Sequence, residues 1–318
     1  MFELINLSNT KAGAQFGGSE RLYDIVPLGA GFAAASKDSA RVLDVSAGPG
    51  GEPVLVEKSS WKAPAEVTAL TADADRLCVG LASGKVVILG VGDKLAPVSE
   101  LLMEGIVPEY PPTILDARRV GKYLLVAGGG DGAWVYEIGN TLKLIWGTHA
   151  VCSRWLYLVQ IKGADYLYVV TWMLRDNHDQ LINADSLVYP LAQSPSQTYV
   201  EPLRIRLPGP VMSVVSQGNV IWHLLANGQV ARLDFSAESA PILATAKLPG
   251  EAAALAVDQE GFLYSVKRRK DGLRKFKFEE GKENLVEQGK PMSLPPNEEW
   301  ILASRLIVGQ GMVGILWR

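Results

Sequence analysis

The sequence predicts an all-β protein built from a repeated four-stranded antiparallel unit. Short apolar runs bounded by Gly, Asp, Asn, Ser and Pro dominate its 318 residues, and helical periodicity is almost absent. The 32 glycines and 18 prolines supply the many turns that such a chain needs. Apolar residues make up 48% of the chain, so a sizeable core can be buried.

One hairpin recurs six times along the chain. Its turn residues are Ser39, Gly84, Gly132, Ser186, Gly228 and Gly272, at spacings of 45, 48, 54, 42 and 44. The blades of β-propellers repeat every ~40–50 residues, and only the 54-residue step departs from that range. A tight hairpin favours positive φ at its turn, so we expect positive φ at the four glycines of this set. Each hairpin is flanked by two further apolar strands, which completes a four-stranded blade.

The two ends of the chain supply the remaining blade. Trp300–Ile307 and Met312–Trp317 are its expected first two strands, and Phe2–Leu7 with a short piece near Ala14–Phe16 its last two. Pairing of the ends removes exposed sheet edges. The sequence therefore predicts an all-β, seven-bladed β-propeller closed by pairing of its N- and C-terminal strands, as a single domain over residues 1–318. Six and eight blades are the alternatives.

Two repeats carry a resemblance to a known group of propellers. Leu43-Asp44 and Leu233-Asp234 end a third strand where WD40 repeats place Trp-Asp, although no blade opens with Gly-His. Over nearly its whole length the chain resembles the WD40-like and quinoprotein-like β-propellers. The resemblance implies that the turns between second and third strands share one face with the links between blades. It implies no single activity, because this fold hosts many.

Composition narrows the classes of partner. The net charge is −3, so the chain as a whole is not built for nucleic acid or for an acidic membrane. The start MFELINLSNTK lacks the basic and apolar regions of a signal peptide, and no apolar run approaches the ~20 residues of a membrane span. Two cysteines do not make a secreted disulfide framework. We expect a cytoplasmic protein without a cofactor or an evident small-molecule ligand.

A basic run interrupts this acidic chain. Lys267, Arg268, Arg269 and Lys270 fill the expected turn of the sixth blade, and Arg274, Lys275 and Lys277 follow. Such a run can be a solvated hairpin whose cations block edge aggregation. It can also dock an acidic protein or a phosphate backbone. No RNA-reading aromatic motif accompanies it, so nucleic acid is not the expected partner.

A long loop in the fourth blade is the second irregular segment. Met173–Asn183 reads MLRDNHDQLIN and contains Arg175, Asp176, His178 and Asp179. Three interpretations are open: the loop recognises a partner, it binds a cation, or it is a neutral insertion. Binding of a cation is the least favoured, because neighbouring residues in one loop rarely converge on a metal. The link Glu104–Pro112, with Tyr110, belongs to the same expected face.

These observations favour a protein-interaction platform over an enzyme. We predict a non-catalytic subunit or scaffold that binds a protein, acidic in character, through one propeller face. The predicted partner-binding residues are Arg175, Asp176, His178, Asp179, Lys267, Arg268, Arg269, Lys270 and Tyr110. The alternative is a small-molecule or metal-dependent hydrolase or lyase centred on the channel. The three histidines are scattered and suggest no catalytic triad, and no metal site is predicted.

Overall fold

The computed structural model of the chain describes most of its residues. The described ranges are 2–6, 12–16, 22–49, 53–73, 75–103, 110–149, 151–171, 185–191, 201–237, 241–248, 250–279, 284–294, 303–309 and 312–317. Within them lie 28 β-strands and one short 3-10 helix. The strands form seven four-stranded antiparallel sheets, which confirms the all-β prediction.

The chain divides into two compact units. The first consists of Met1–Leu22, Val45–Val56 and Pro208–Arg318, and the second of Tyr23–Asp44 and Glu57–Leu207.

Three sheets lie wholly within the second unit, and each follows chain order from its first to its fourth strand. Their strands are β7 (Val67–Asp73), β8 (Arg76–Leu81), β9 (Lys85–Gly90), β10 (Ala96–Leu102), β11 (Asp116–Val120), β12 (Tyr123–Ala127), β13 (Ala133–Ile138), β14 (Leu142–Thr148), β15 (Ser153–Ile161), β16 (Ala164–Thr171), β17 (Ser186–Pro190) and β18 (Leu203–Ile205). A further sheet has the same order and consists of β3 (Leu22–Leu28), β4 (Gly31–Ser36), β5 (Ser39–Ala47) and β6 (Pro53–Lys62).

The other three sheets belong to the first unit. Two follow chain order, with strands β19 (Val211–Gln217), β20 (Val220–Leu225), β21 (Gln229–Asp234), β22 (Ile242–Lys247), β23 (Ala254–Val257), β24 (Leu263–Val266), β25 (Arg274–Glu279) and β26 (Asn284–Glu287). The third joins the two ends of the chain in the order β2–β1–β28–β27. Its strands are β1 (Phe2–Asn6), β2 (Ala12–Phe16), β27 (Ala303–Gly309) and β28 (Met312–Trp317).

Pairing of the chain ends is therefore confirmed. β1 lies antiparallel to β28, with Phe2 opposite Leu316 and Asn6 opposite Met312. The predicted N-terminal strand ended at Leu7, which lies outside the described residues, as does the predicted start of the C-terminal strand at Trp300.

Glycine conformation at the hairpin turns follows the prediction. Gly84, Gly132, Gly228 and Gly272 have φ values of 75°, 127°, 78° and 71°. At two of these turns the loop is three residues long, and the glycine nitrogen donates to the last residue of the preceding strand, as in Gly228 N to Leu225 O at 3.0 Å. A tight turn followed by a left-handed residue gives this loop, and glycine adopts that conformation without a Cβ clash.

The core of each unit lies between faces of its sheets. In the second unit a buried cluster joins strands β11–β14 to β15–β17 through residues such as Trp146, Leu167 and Val169. In the first unit Trp222, Leu255 and Phe276 belong to one cluster, and Val313 and Ile315 to another. The inner strands of the sheets, such as β4 and β8, are buried along nearly their whole length, so both of their faces contribute to the core.

One histidine is enclosed in this packing. His223 lies in β20 with 0% exposure, and its Nδ1 is 3.3 Å from the carbonyl oxygen of Ala231 on β21. Burial lowers the pKa of His223 to about 4, because the charged ring would lose its hydration, while the hydrogen bond to Ala231 acts weakly in the opposite direction.

This histidine should make folding stability depend on pH. In the unfolded chain His223 takes up a proton near pH 6.5, and in the folded chain only near pH 4. The contribution of His223 to the free energy of unfolding is therefore fully present above pH 6.5 and is lost as the pH falls towards 4. The loss amounts to roughly 3 kcal/mol over that window. Urea unfolding at pH 7 and pH 5 should show about 2 kcal/mol of this loss, and His223→Gln should flatten the slope. An equal slope in the variant and the parent protein would contradict the assignment.

Candidate functional site

In each unit the candidate site lies at the turn end of its sheets. We use this name for the end at which the second strand of a sheet turns into its third. In the second unit the link Pro111–Pro112 packs on the turn between β8 and β9. A Cβ placed on Gly84 would lie 2.8 Å from the Cβ of Pro111 and 3.1 Å from the Cδ of Pro112. The nitrogen of Met103 also donates to the carbonyl of Gly84 at 2.9 Å. The links between sheets therefore share this end with the turns, as the resemblance implied.

Tyr110 is the most exposed large hydrophobic side chain among the described residues, and it lies at this end. It is 73% exposed and stands directly before the two packed prolines. Those prolines fix the backbone that carries it, because their φ angles are locked and their rings are in contact with the turn. Tyrosine on a rigid support is typical of binding surfaces, since it offers a large contact area at little cost in entropy.

The neighbouring turn, residues 128–132, extends the same surface. Its Gly129 forms a β-bridge with Ser153 of the next sheet, and a Cβ on Gly128 would lie 3.4 Å from Pro112. His149 lies exposed beside it, with Nδ1 2.6 Å from the carbonyl oxygen of Asp131 and its ring 5.6 Å from that of Trp134. The turn ends of three successive sheets in this unit are thus in direct contact with one another.

The turn end of the first unit has the same construction. Leu248 donates its backbone N–H to Gly228 at 3.1 Å, and Ala303 donates to Lys267 at 2.9 Å. Leu273 and Met292 exchange two backbone hydrogen bonds. Links and turns of this unit therefore also form one hydrogen-bonded surface.

The predicted basic turn, Lys267–Lys270, lies at this end, but it is not the simple solvated hairpin of one interpretation. Arg269–Asp271 forms a 3-10 helix, and Asp271 donates its N–H to the carbonyl of Arg268 at 3.1 Å. The ammonium of Lys267 pairs with the carboxylate of Glu251, which lowers the pKa of that carboxyl by hydrogen bonding and by charge. Arg268 is half-buried, and Lys270 is exposed. The turn thus offers less free positive charge than its sequence indicates.

The predicted residues of the long loop are not among those that the structure describes. Arg175, Asp176, His178 and Asp179 fall within 172–184, outside the described residues. Their part in binding stays a prediction.

A buried ion pair in the second unit escaped the sequence analysis. Asp116 is 4% exposed and accepts hydrogen bonds from Arg118 Nη2 at 2.8 Å and from the backbone of Leu156 at 3.1 Å. The guanidinium of Arg118 lies 4.3 Å from the ring centre of Tyr157. Burial lowers the pKa of Arg118, but Asp116 outweighs it and the net direction is upward, so the arginine stays charged. The pair ties β11 to β15, which is a positioning role within the fold.

In the described ranges no group of three or more His, Cys, Asp or Glu is arranged to hold a metal ion. The same ranges contain no helix with the length and apolar character needed to cross a membrane.

Comparison with known proteins identifies the fold. The WD40 β-propeller domain of Doa1 matches with a TM-score of 0.57 and 10% sequence identity, over 93% of this chain and 93% of that one. The chain therefore has the all-β architecture of a β-propeller of the WD40 kind. No protein-family model matches the sequence, and no curated protein matches it. At this level of identity the similarity concerns the fold alone.

Proposed function

We propose that the protein is an interaction platform, a non-catalytic subunit or scaffold that binds a protein partner through its turn ends. The observation that carries this proposal is the construction of those ends. In each unit, links and turns from successive sheets contact one another through backbone hydrogen bonds. A rigid scaffold that presents adjoining loops is the usual way to build a recognition surface. The WD40 propeller fold is typical of such scaffolds.

The proposal includes a seven-bladed ring closed by the two ends of the chain. It is supported by the seven four-stranded sheets and by the antiparallel pairing of β1 with β28. Pairing of the chain's own ends completes the seventh sheet, so that the ring would be closed by hydrogen bonds between β1 and β28.

We further propose that the protein acts in the cytoplasm. Both cysteines, Cys78 and Cys152, are free thiols, which fits a reducing compartment. Burial raises the pKa of Cys78 to about 12, so this thiol is a core residue rather than a reactive one.

Affinity purification from the native cell tests the proposal. The tagged protein should recover a partner identified by mass spectrometry, and Tyr110→Ala should reduce that recovery several-fold because Tyr110 is the exposed aromatic of the turn end. Lys270→Glu, at the exposed position of the basic turn, should reduce it and should abolish its dependence on salt.

The matched control is Lys122→Glu. Lys122 is also exposed, and it follows Gly121 in the turn between β11 and β12, at the opposite end of its sheet. Recovery that is unchanged in both turn-end variants and lost in Lys122→Glu would reverse the assignment of the binding surface. Circular dichroism confirms that each variant is folded.

A further inference from the structure

One face of the sheet β23–β26 carries two lysines beside two aromatic rings, and those rings also pack against the core cluster of β27 and β28. Lys275 and Lys277 are alternate residues of β25, so their side chains stand on the same face of the sheet. Tyr264 of β24 lies directly opposite Lys275 in the register, and Phe262 immediately precedes β24. The two lysines and the two aromatic rings therefore share one face.

The ammonium groups converge on the rings. Lys275 Nζ lies 3.8 Å from the ring centre of Phe262 and 5.4 Å from that of Tyr264. Lys277 Nζ lies 5.4 Å from the ring centre of Phe262. Cation–π attraction at these distances holds both ammonium groups near the ring of Phe262.

Asp258 holds the aromatic platform in place. Its Oδ1 accepts hydrogen bonds from the backbone of Glu260 at 3.0 Å and of Phe262 at 2.9 Å. Its Oδ2 accepts the hydroxyl proton of Tyr264 at 3.1 Å. Because this carboxylate accepts hydrogen bonds from three donors, it orients the two rings.

The two lysines differ from the other cations of this sheet. Lys267 pairs with Glu251, and Arg274 Nη1 lies 3.3 Å from Glu287. Across the described ranges, neither Lys275 nor Lys277 has a carboxylate within ion-pair distance, and each is held only by aromatic rings. Two positive charges held over one ring, with no ion-pair partner among the described residues, form a preorganised site for an anion.

We propose that Lys275 and Lys277 bind an acidic segment of a partner protein, extended, with carboxylates on alternate residues. Residues i and i+2 of a strand are about 6.6 Å apart, so the carboxylates of an extended segment match the spacing of the two lysines. Glu279, two residues beyond Lys277 on the same face, ends the basic stretch of β25. This surface is separate from the turn ends. The proposal depends on the proposed function in one respect, namely that the partner is a protein.

The ring geometry favours a protein over single-stranded RNA. Binding of RNA bases requires an open aromatic face on which they can stack. The ammonium of Lys275 lies over the face of Phe262, and Tyr264 is buried. Carboxylates need only the lysine charges, which lie beside the rings.

Fluorescence anisotropy with a labelled peptide tests the proposal on the full chain. The probe is an eight-residue peptide of alternating glutamate and serine, and its comparison peptide has the same composition with the four glutamates in one block. At 50 mM salt the alternating peptide should bind several-fold more tightly than the block peptide. The double substitution Lys275→Gln with Lys277→Gln should weaken binding about tenfold, as expected for the loss of two exposed ion pairs.

The matched control removes two lysine charges elsewhere. Lys85→Gln with Lys122→Gln, at lysines that pair with Glu100 and Glu137, should change binding less than twofold. Equal loss in both double variants, or no binding by the parent protein, would overturn the proposal. Tighter binding of an octauridine RNA that is lost in the Lys275 and Lys277 variant would overturn it in favour of nucleic acid. Tyr110 and Lys270 are unaltered throughout, so failure here leaves the test of the turn ends standing.

Discussion

Deletion of Met1–Asn9 is expected to destabilise the protein globally and to lower its melting temperature by more than about 8 °C. The deletion removes β1, which pairs with β28 along five residues. β28 would become an edge strand, and β2 would lose its only partner in the described sheet. Val313, Ile315 and Leu316 are buried in β28, so the loss reaches the core and costs several kcal/mol.

Restoration of the missing strand provides the control. A synthetic peptide of residues 1–16 added to the truncated protein should raise the melting temperature again, whereas a scrambled peptide should not. A truncated protein that melts within a degree or two of the full chain would show that the ends do not stabilise the fold. The same conclusion would follow if the truncation increased hydrogen exchange only at the amides next to β1 and did not shift the global unfolding transition.

Gly132→Val should be the most damaging single substitution among the turn glycines. Gly132 has φ 127°, which side-chain-bearing residues rarely adopt. A Cβ there would overlap the carbonyl oxygen of Thr148 and lie 3.0 Å from the Cα of His149. Strain and overpacking together should cost roughly 4 kcal/mol, measured by urea unfolding.

Gly121→Val separates the two causes. Gly121 has φ 58°, but a Cβ there would meet nothing within 4 Å. Its substitution should cost about 2 kcal/mol, through backbone conformation alone. If the two variants were equally stable, the close contact between the Gly132 turn and Thr148 would not contribute to stability.

The repeated architecture could be predicted from sequence because it is encoded locally. Each hairpin has its own apolar strands and its own turn residue, so the positive φ of Gly84 and Gly228 follows from neighbours in the chain. Pairing of the two chain ends could be predicted as well, because counting the repeats left half a unit at each end. The 3-10 helix at Arg269–Asp271 was missed, since an apparent hairpin turn does not reveal the extra residues that it accommodates.

Side-chain partnerships could not be predicted in the same way. Asp116 and Leu156 are 40 residues apart in the sequence. Lys267 forms an ion pair with Glu251, which is 16 residues away. The run of cations after Lys267 was visible in the sequence, but nothing local distinguished the paired Arg274 from Lys275, which lies over Phe262. Those distinctions depend on register and on packing between neighbouring strands.

Amide hydrogen exchange on the complex with the partner recovered by affinity purification tests the central claim most directly. Binding through the turn ends should slow exchange in residues 128–132 and 267–273. It should leave the opposite turns, at Gly121–Lys122 and Asp258–Gly261, unchanged. Slowed exchange confined to those opposite turns, with none at 128–132 or 267–273, would contradict the claim that this protein binds its partner through the turn ends of its sheets.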